Sequence, residues 1–132
     1  MSTQDAQSLE HLRTYVRRSE EYLSNAYISL ERNEVEKASE FLWGSMAEAI
    51  KAVAALKGEE LHSHRRIQEY MVRLSRELGD RDLFDALRDA NSLHMNFYES
   101  GLTREDVLTS VVTIRYAVGK LLGLIPREAL EQ

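Results

Sequence analysis

Apolar residues recur at helical spacing along almost the whole chain. In the segment from Asp5 to Arg32 they stand three, four or seven positions apart, at Leu9, Leu12, Val16, Leu23, Ala26 and Leu30. This spacing is typical of one face of an amphipathic helix and predicts a long first helix. The single proline, Pro126, lies close to the end of the sequence, so the strongest helix breaker is missing from everything before it. The pattern predicts an all-α protein.

The next two helices have recognisable ends. We expect the second over residues 34–57, with Asn33 as its cap, Glu36 completing an arrangement like a capping box, and Gly58 at its end. The third is predicted from His62 to Leu78, with Ser63 as a possible cap. Both segments are long enough to be stable elements of a bundle.

Two more helices follow after short connections. Asp80 can cap a fourth helix that runs to about Ser100, and Thr103 can cap a fifth that ends before Pro126. Short connections force consecutive helices to turn back on one another. The sequence therefore predicts an up-and-down bundle of about five helices, in a single domain that spans residues 1–132.

The second and fifth helices are apolar over more than one face. The second should lie at the centre of the bundle, where Gly44 would let another helix approach closely. It also carries Glu40 and Lys51 on one side, as either a buried internal ion pair or part of a ligand site. The fifth is either central or covered by a second copy of the chain, and we expect a homodimer formed through helices.

Composition narrows the classes of function. The formal net charge is −5, which gives the whole molecule no attraction for nucleic acid or an anionic membrane, so a phosphate site would have to be local. Without cysteine there are no disulfides, thiolate metal sites or cysteine nucleophiles. The first ten residues lack the apolar core of a signal peptide, and no apolar run is long enough to cross a bilayer. We expect a cytoplasmic protein with no membrane association.

The predicted fourth helix carries a ladder of polar residues. Arg88, Asn91, His94 and Tyr98 are spaced three, three and four positions apart, which places them within one arc of the helix. Metal-free cleavage of a phosphodiester needs a group that titrates near neutrality and a fixed cation. His94 could be the acid or base and Arg88 could bind the phosphate, while Asn91 orients it and Tyr98 donates a hydrogen bond.

Less specific interpretations remain open for the same residues. His94 could be a hydrogen-bonded core histidine, with Arg88 paired to a neighbouring aspartate on its own helix. His62 and His64 do not have the spacing of a metal-binding pair on a helix, and we predict no metal site and no cofactor. His64 could cap a helix or contact a substrate.

The sequence also resembles a known family of helical domains. Arg88-Asp89, followed by Ala-Asn-Ser-Leu and then His94, is similar to the arginine-spacer-histidine motif of HEPN domains, the higher eukaryotes and prokaryotes nucleotide-binding domains. Ala38-Ser-Glu-Phe-Leu-Trp-Gly44, the segments ending at Lys51 and beginning at Ser63, and Leu93-His-Met-Asn-Phe-Tyr-Glu99 resemble the archaeal paralogous-repeat branch of HEPN-like proteins. The resemblance covers roughly residues 15 to 124.

The resemblance implies both a fold and a function. It implies a bundle of four to five helices, commonly dimeric, in which two copies place arginine and histidine across a shared cleft. Many such domains are metal-independent endoribonucleases of toxin–antitoxin, defence or RNA-processing systems, while others only bind nucleotides or partners. On this reading Arg88 and His94 are catalytic and the substrate-binding residues are Asn91, Tyr98, His64, Lys51 and Glu40. The alternative is a non-catalytic interaction module, for example the partner of a nucleotidyltransferase.

Overall fold

The described part of the chain is entirely helical apart from turns and connections. The computed structural model describes residues 3–99 and 101–131, and the side chains of residues 6–95 and 101–131. It contains α1 (Thr3–Glu31), α2 (Val35–Leu56), α3 (His64–Leu78), α4 (Arg81–Glu99), α5 (Arg104–Gly123) and the short α6 (Arg127–Leu130). Each helix from α1 to α5 contacts the next along the chain. The predicted all-α bundle is confirmed, and α6 is a helix that the sequence pattern did not reveal.

Three helices have their caps at the residues that the sequence indicates, although α3 begins at His64 rather than at His62. The Ser63 side chain accepts a hydrogen bond from the backbone N–H of Arg66, and Asp80 accepts one from the backbone N–H of Leu83. Thr103 forms a reciprocal capping box with Asp106. Each cap satisfies backbone donors that the first turn of a helix leaves without a partner.

The expected cap at Asn33 is wrong. Asn33 has a φ of +59°, and Glu34, rather than Asn33, precedes the first residue of α2. The N–H of Asn33 donates to the carbonyl of Leu30 and that of Glu34 donates to the carbonyl of Ser29, which closes the end of α1 as a Schellman motif. Asparagine is the residue that best replaces glycine in this left-handed conformation, so Asn33 ends α1 instead of starting α2.

Helix α2 forms the centre of the bundle, as its two-sided apolar pattern predicts. It contacts α1, α3, α4 and α5, and Leu42, Met46, Ala49 and Ile50 are completely buried along it. Gly44 faces α1, where a Cβ atom at this position would lie only 2.9 Å from Cδ2 of Tyr22. The glycine therefore sets the close approach of α1 to α2.

The last two helices leave apolar side chains at the surface. On α5, Leu108, Val112 and Tyr116 are 42%, 63% and 48% exposed, which is consistent with the second apolar flank seen in the sequence. Helix α6 is held against α1, since the Arg13 guanidinium donates to the carbonyl oxygens of Ala129 and Glu131. Within the described ranges, no helix is both long and apolar enough to cross a membrane.

Candidate functional site

Three aromatic side chains from three helices meet at one side of the bundle. The ring centroid of Trp43 on α2 lies 4.5 Å from that of His64 on α3 and 4.9 Å from that of His94 on α4. The two imidazoles are stacked, with centroids 5.1 Å apart and an angle of 23° between their planes. We call His64 and His94 the histidine pair. The pair has one apolar wall, because Trp43 itself is buried.

A carboxylate from the central helix holds His94. Glu40 lies about one helical turn before Trp43 on α2, so both side chains reach α4. Oε2 of Glu40 lies 3.2 Å from Nδ1 of His94, within hydrogen-bond distance. Their side chains are 35% and 26% exposed, so the interaction lies at the border between core and solvent. The sequence places both residues in the candidate site, and the structure brings them together.

His64 occupies the first position of α3, directly after the Ser63 cap. Gln68 lies one turn further along, and its amide nitrogen is within hydrogen-bond distance of Nε2 of His64. The same amide donates to Oδ1 of Asn91 on α4 over 3.1 Å. Asn91 is therefore connected to the histidine pair through Gln68. Four residues of the predicted site, Glu40, His64, Asn91 and His94, belong to one network.

Lys51 borders a pocket of about 300 Å³ next to the histidine pair. We call it the Lys51 pocket; it is lined by Tyr15, Lys51, Leu61, His62, Ser63, His64 and Ile67. The Lys51 ammonium lies 3.5 Å from Oε1 of Glu48 and 5.1 Å from the ring centroid of Tyr15. Lys51 and Glu40 do not form an ion pair with each other, because eleven residues of helix place them about 16 Å apart along its axis and each has a nearer partner. We use "histidine site" below for Glu40, Trp43, Lys51, His64 and His94.

A second polar cluster connects α1 to the segment before α3. Glu60 accepts a hydrogen bond of 2.8 Å from the Tyr15 hydroxyl, and its other oxygen lies 2.7 Å from Nδ1 of His11. Burial and the Glu60 carboxylate raise the pKa of Tyr15 to about 12. Burial alone would raise the pKa of Glu60, but the hydrogen bonds with His11 and Tyr15 outweigh it and leave that pKa lowered. The part-buried hydrogen bond between Tyr15 and Glu60 connects α1 to the segment before α3, while His11 lies at the exposed edge of the cluster.

The pKa of His64 is lowered, first by partial burial of the ring and then by the nearby charge of His94. Both causes act against the imidazolium form. The surroundings of His64 thus favour its neutral form. A neutral imidazole near neutral pH can accept a proton, which is what acid–base chemistry requires of a base.

Arg88 lies apart from this network. It is exposed and lines a separate depression of about 370 Å³ with Asp85, Asp89 and Ser92. Asp89 accepts a hydrogen bond of 3.0 Å from Ser110 on α5. Within the chain, Arg88 and His94 therefore lie at different surface features, although both are on α4. The side chain of Tyr98, the fourth member of the predicted ladder, lies outside the described residues.

Sequence reasoning missed several residues that build this region. Trp43 is buried, and it also forms the wall of the histidine pair. Gln68 had no distinguishing pattern, although it stands one turn after His64 on the predicted third helix. Tyr15 and Glu60 are 45 positions apart. No local spacing could have paired these two residues, because their contact depends on how α1 packs.

The predicted absence of a metal site stays a prediction, although among the residues that the structure describes no group of three potential ligands is close enough to hold a metal ion.

A model of the archaeal PaREP1/PaREP8 family matches residues 14–118 of the chain. This range contains every member of the histidine site. No curated protein matches the sequence.

Proposed function

Because the chain belongs to the archaeal PaREP1/PaREP8 family, we propose that it is a HEPN-like domain that recognises RNA or a nucleotide at the histidine site. The observation that carries the proposal is the meeting of His64 and His94 beside Trp43, with Lys51 at the adjoining pocket. The all-α fold and the order of arginine and histidine on α4 agree with the HEPN resemblance. We treat the whole chain as one such domain.

The site has the chemistry that a phosphate-bearing ligand requires. Lys51 supplies a cation that can attract a phosphate, and the imidazoles can donate hydrogen bonds to its oxygens. The overall charge of −5 works against long stretches of nucleic acid. We therefore expect recognition of a short segment, with affinity that falls as salt increases.

Metal-independent endoribonuclease activity is the catalytic form of this proposal. A base near the ribose 2′-hydroxyl lets that oxygen attack the adjacent phosphorus, which leaves a 2′,3′-cyclic phosphate and a free 5′-hydroxyl. His94 supplies an acid or base for this reaction, and Glu40 holds its ring. In a homodimer formed through the exposed flank of α5, Arg88 would bind the RNA strand outside the histidine site.

The first test is cleavage and binding by the pure protein in EDTA. Structured and single-stranded RNA are incubated with wild type and with His94→Ala, and binding is followed by the emission of Trp43, the only tryptophan in the chain. We expect RNA to change the emission and His94→Ala to remove cleavage. No change in emission at any RNA concentration would contradict recognition, and equal cleavage by His94→Ala would contradict the catalytic form.

A structural role for the same residues makes a different prediction. If the network only stabilises the bundle of an interaction module, such as the partner of a nucleotidyltransferase, then His94→Ala and Arg88→Ala should both lower the melting temperature strongly. If they form a site, Arg88→Ala should leave stability almost unchanged and weaken RNA binding. The exposed position of Arg88 favours the second outcome.

A further inference from the structure

We propose that RNA cleavage by this protein uses both members of the histidine pair, with His64 as the base, His94 as the acid and Glu40 as a positioning residue for His94. This inference rests on the proposed function and adds to it a second catalytic histidine from a different helix. It also replaces substrate contact as the role of His64 and Glu40.

The first step of the argument is the position of the two imidazoles. They come from the start of α3 and the interior of α4, and their ring centroids lie 5.1 Å apart. In-line displacement at phosphorus places the attacking and leaving oxygens on opposite sides of the phosphorus atom. With two imidazoles close together, one can take a proton from the attacking oxygen while the other gives a proton to the leaving oxygen. A single imidazole would have to do both in turn.

The second step assigns the two roles from the groups that face each ring. His94 faces the Glu40 carboxylate from α2, which is the charged partner suited to an imidazolium. His64 faces His94 from α4, Trp43 from α2 and Gln68 from its own helix, and it shares the Lys51 pocket with Lys51, Tyr15 and His62. Glu48 and Glu60 contact Lys51 and Tyr15 rather than His64. His94 contacts a carboxylate, whereas the contacts of His64 are an amide and two aromatic rings beside the pocket that holds the Lys51 ammonium, so His64 is the base.

The reaction balances with these roles. Neutral His64 takes the proton of the 2′-hydroxyl on Nε2, where the hydroxyl replaces the Gln68 amide, as the 2′-oxygen forms its bond to phosphorus. The bond from phosphorus to the 5′-oxygen breaks, and the leaving oxygen takes a proton from the His94 imidazolium. The products are a 2′,3′-cyclic phosphate and a 5′-hydroxyl, and the protein returns to its starting state when one proton passes from His64 to His94 through solvent.

Glu40 acts through His94 rather than on the RNA. Its hydrogen bond at Nδ1 fixes the plane of the ring against Trp43 and His64. Removing the carboxylate should therefore change the rate of the chemical step and its pH dependence while binding of RNA persists. Restoring a carboxylate on a shorter side chain should restore part of the rate.

The experiment measures single-turnover cleavage of a short RNA in EDTA between pH 5 and 9. We expect His64→Asn and His94→Asn each to lower the rate about 100-fold or more, in line with the loss of one acid–base group. The wild-type rate should rise through a pKa below the ordinary value of histidine, and this acidic limb should be absent in His64→Asn. His11→Gln, which changes a histidine outside the histidine site, should behave as wild type.

A parallel pair of variants tests Glu40. Glu40→Gln should lower the single-turnover rate at saturating RNA with little change in the Kd for RNA, and Glu40→Asp should recover part of the loss. Glu36→Gln, an exposed substitution one turn earlier on α2, is the matched control. A change in Kd alone would contradict the positioning role. Because a merely structural effect would follow thermal stability, the melting temperature of each variant is measured as well.

The outcomes separate this inference from the proposed function. Cleavage that is lost in His94→Asn but unchanged in His64→Asn overturns the two-histidine inference and leaves the endoribonuclease in place. Binding of RNA without any wild-type cleavage overturns the inference and leaves recognition in place. A protein that neither binds nor cleaves RNA overturns both. Loss of cleavage in both histidine variants with retained fold and RNA binding supports the inference.

Discussion

The indole ring of Trp43 lies against the imidazole of His64, with ring centroids 4.5 Å apart. The same indole contacts His94 at 4.9 Å. Since the chain has one tryptophan, its tryptophan fluorescence comes entirely from a ring that touches both members of the histidine pair. The protein thus contains its own reporter for their protonation and for ligand binding.

This contact predicts a pH-dependent emission. An imidazolium next to an indole quenches the indole emission, so the emission should fall as the pH is lowered and His64 takes up a proton. Because the pKa of His64 is lowered, part of the fall should occur below the usual range of histidine. His64→Asn should reduce the amplitude of that part, and His11→Gln should leave the curve unchanged. A curve that His64→Asn does not alter would refute the contact.

Tyr15→Phe should destabilise the protein by about 1 kcal/mol at neutral pH, because it removes the hydrogen bond to Glu60. The pKa of Tyr15 is about 12 in the folded protein, against 10.0 ordinarily. Wild type therefore loses stability as the pH rises above 10, since the unfolded chain ionises there first. Tyr15→Phe has no hydroxyl to ionise at this position, so it lacks this loss of stability. Urea unfolding at pH 7 and pH 10.5 should show the difference between the two proteins shrinking at the higher pH.

Gly44→Ala should destabilise the protein, although alanine is the better helix former. The added Cβ would lie 2.9 Å from Cδ2 of Tyr22, so either the Tyr22 ring or α1 itself has to shift. Overpacking of this kind costs about 1–3 kcal/mol. In Gly119→Ala the new Cβ meets no atom within 4 Å, and stability should rise by about 1 kcal/mol. Thermal unfolding of both variants tests the difference, and a gain in both would mean that the approach of α1 is not tight.

Asn33→Gly should stabilise the protein by about 0.5 kcal/mol, and Asn33→Ala should destabilise it by about 1 kcal/mol. The reason is the φ of +59° at this position, which glycine adopts without steric cost and alanine does not. Ser24→Ala, in the exposed middle of α1, should instead raise stability slightly. Chemical denaturation of the three variants measures these effects. The opposite order of glycine and alanine at position 33 would rule out the Schellman motif.

The sequence predicted the helices because their signals are local. Apolar spacing and side-chain caps act within a few residues, and the caps at Ser63, Asp80 and Thr103 lie where the pattern indicates. Asn33 was misassigned since asparagine favours both the start of a helix and a left-handed residue at its end. Deciding between the two requires the backbone conformation, which depends on how α1 turns into α2.

The candidate site could be predicted only in part. The sequence indicates Glu40 and His64 on two helices and Asn91 with His94 in the ladder of a third, and the structure connects all four. Arg88 and His94 share a helix, but six residues of helical rotation turn them about 120° apart. Spacing along one helix limits which side chains share a face. It does not determine which of them another helix will cover.

Glu40, Trp43 and Lys51 are all carried by α2, the helix that every neighbour from α1 to α5 packs around. The distances between these three residues along the helix axis are therefore set by the rise of a single α-helix and not by loops. Trp43, which backs the histidine pair, and Lys51 are eight residues apart and therefore about 12 Å apart along the axis of α2. A ligand that contacts both the histidine pair and Lys51 has to lie along this helix, so the spacing on α2 favours an extended nucleotide chain over a compact anion.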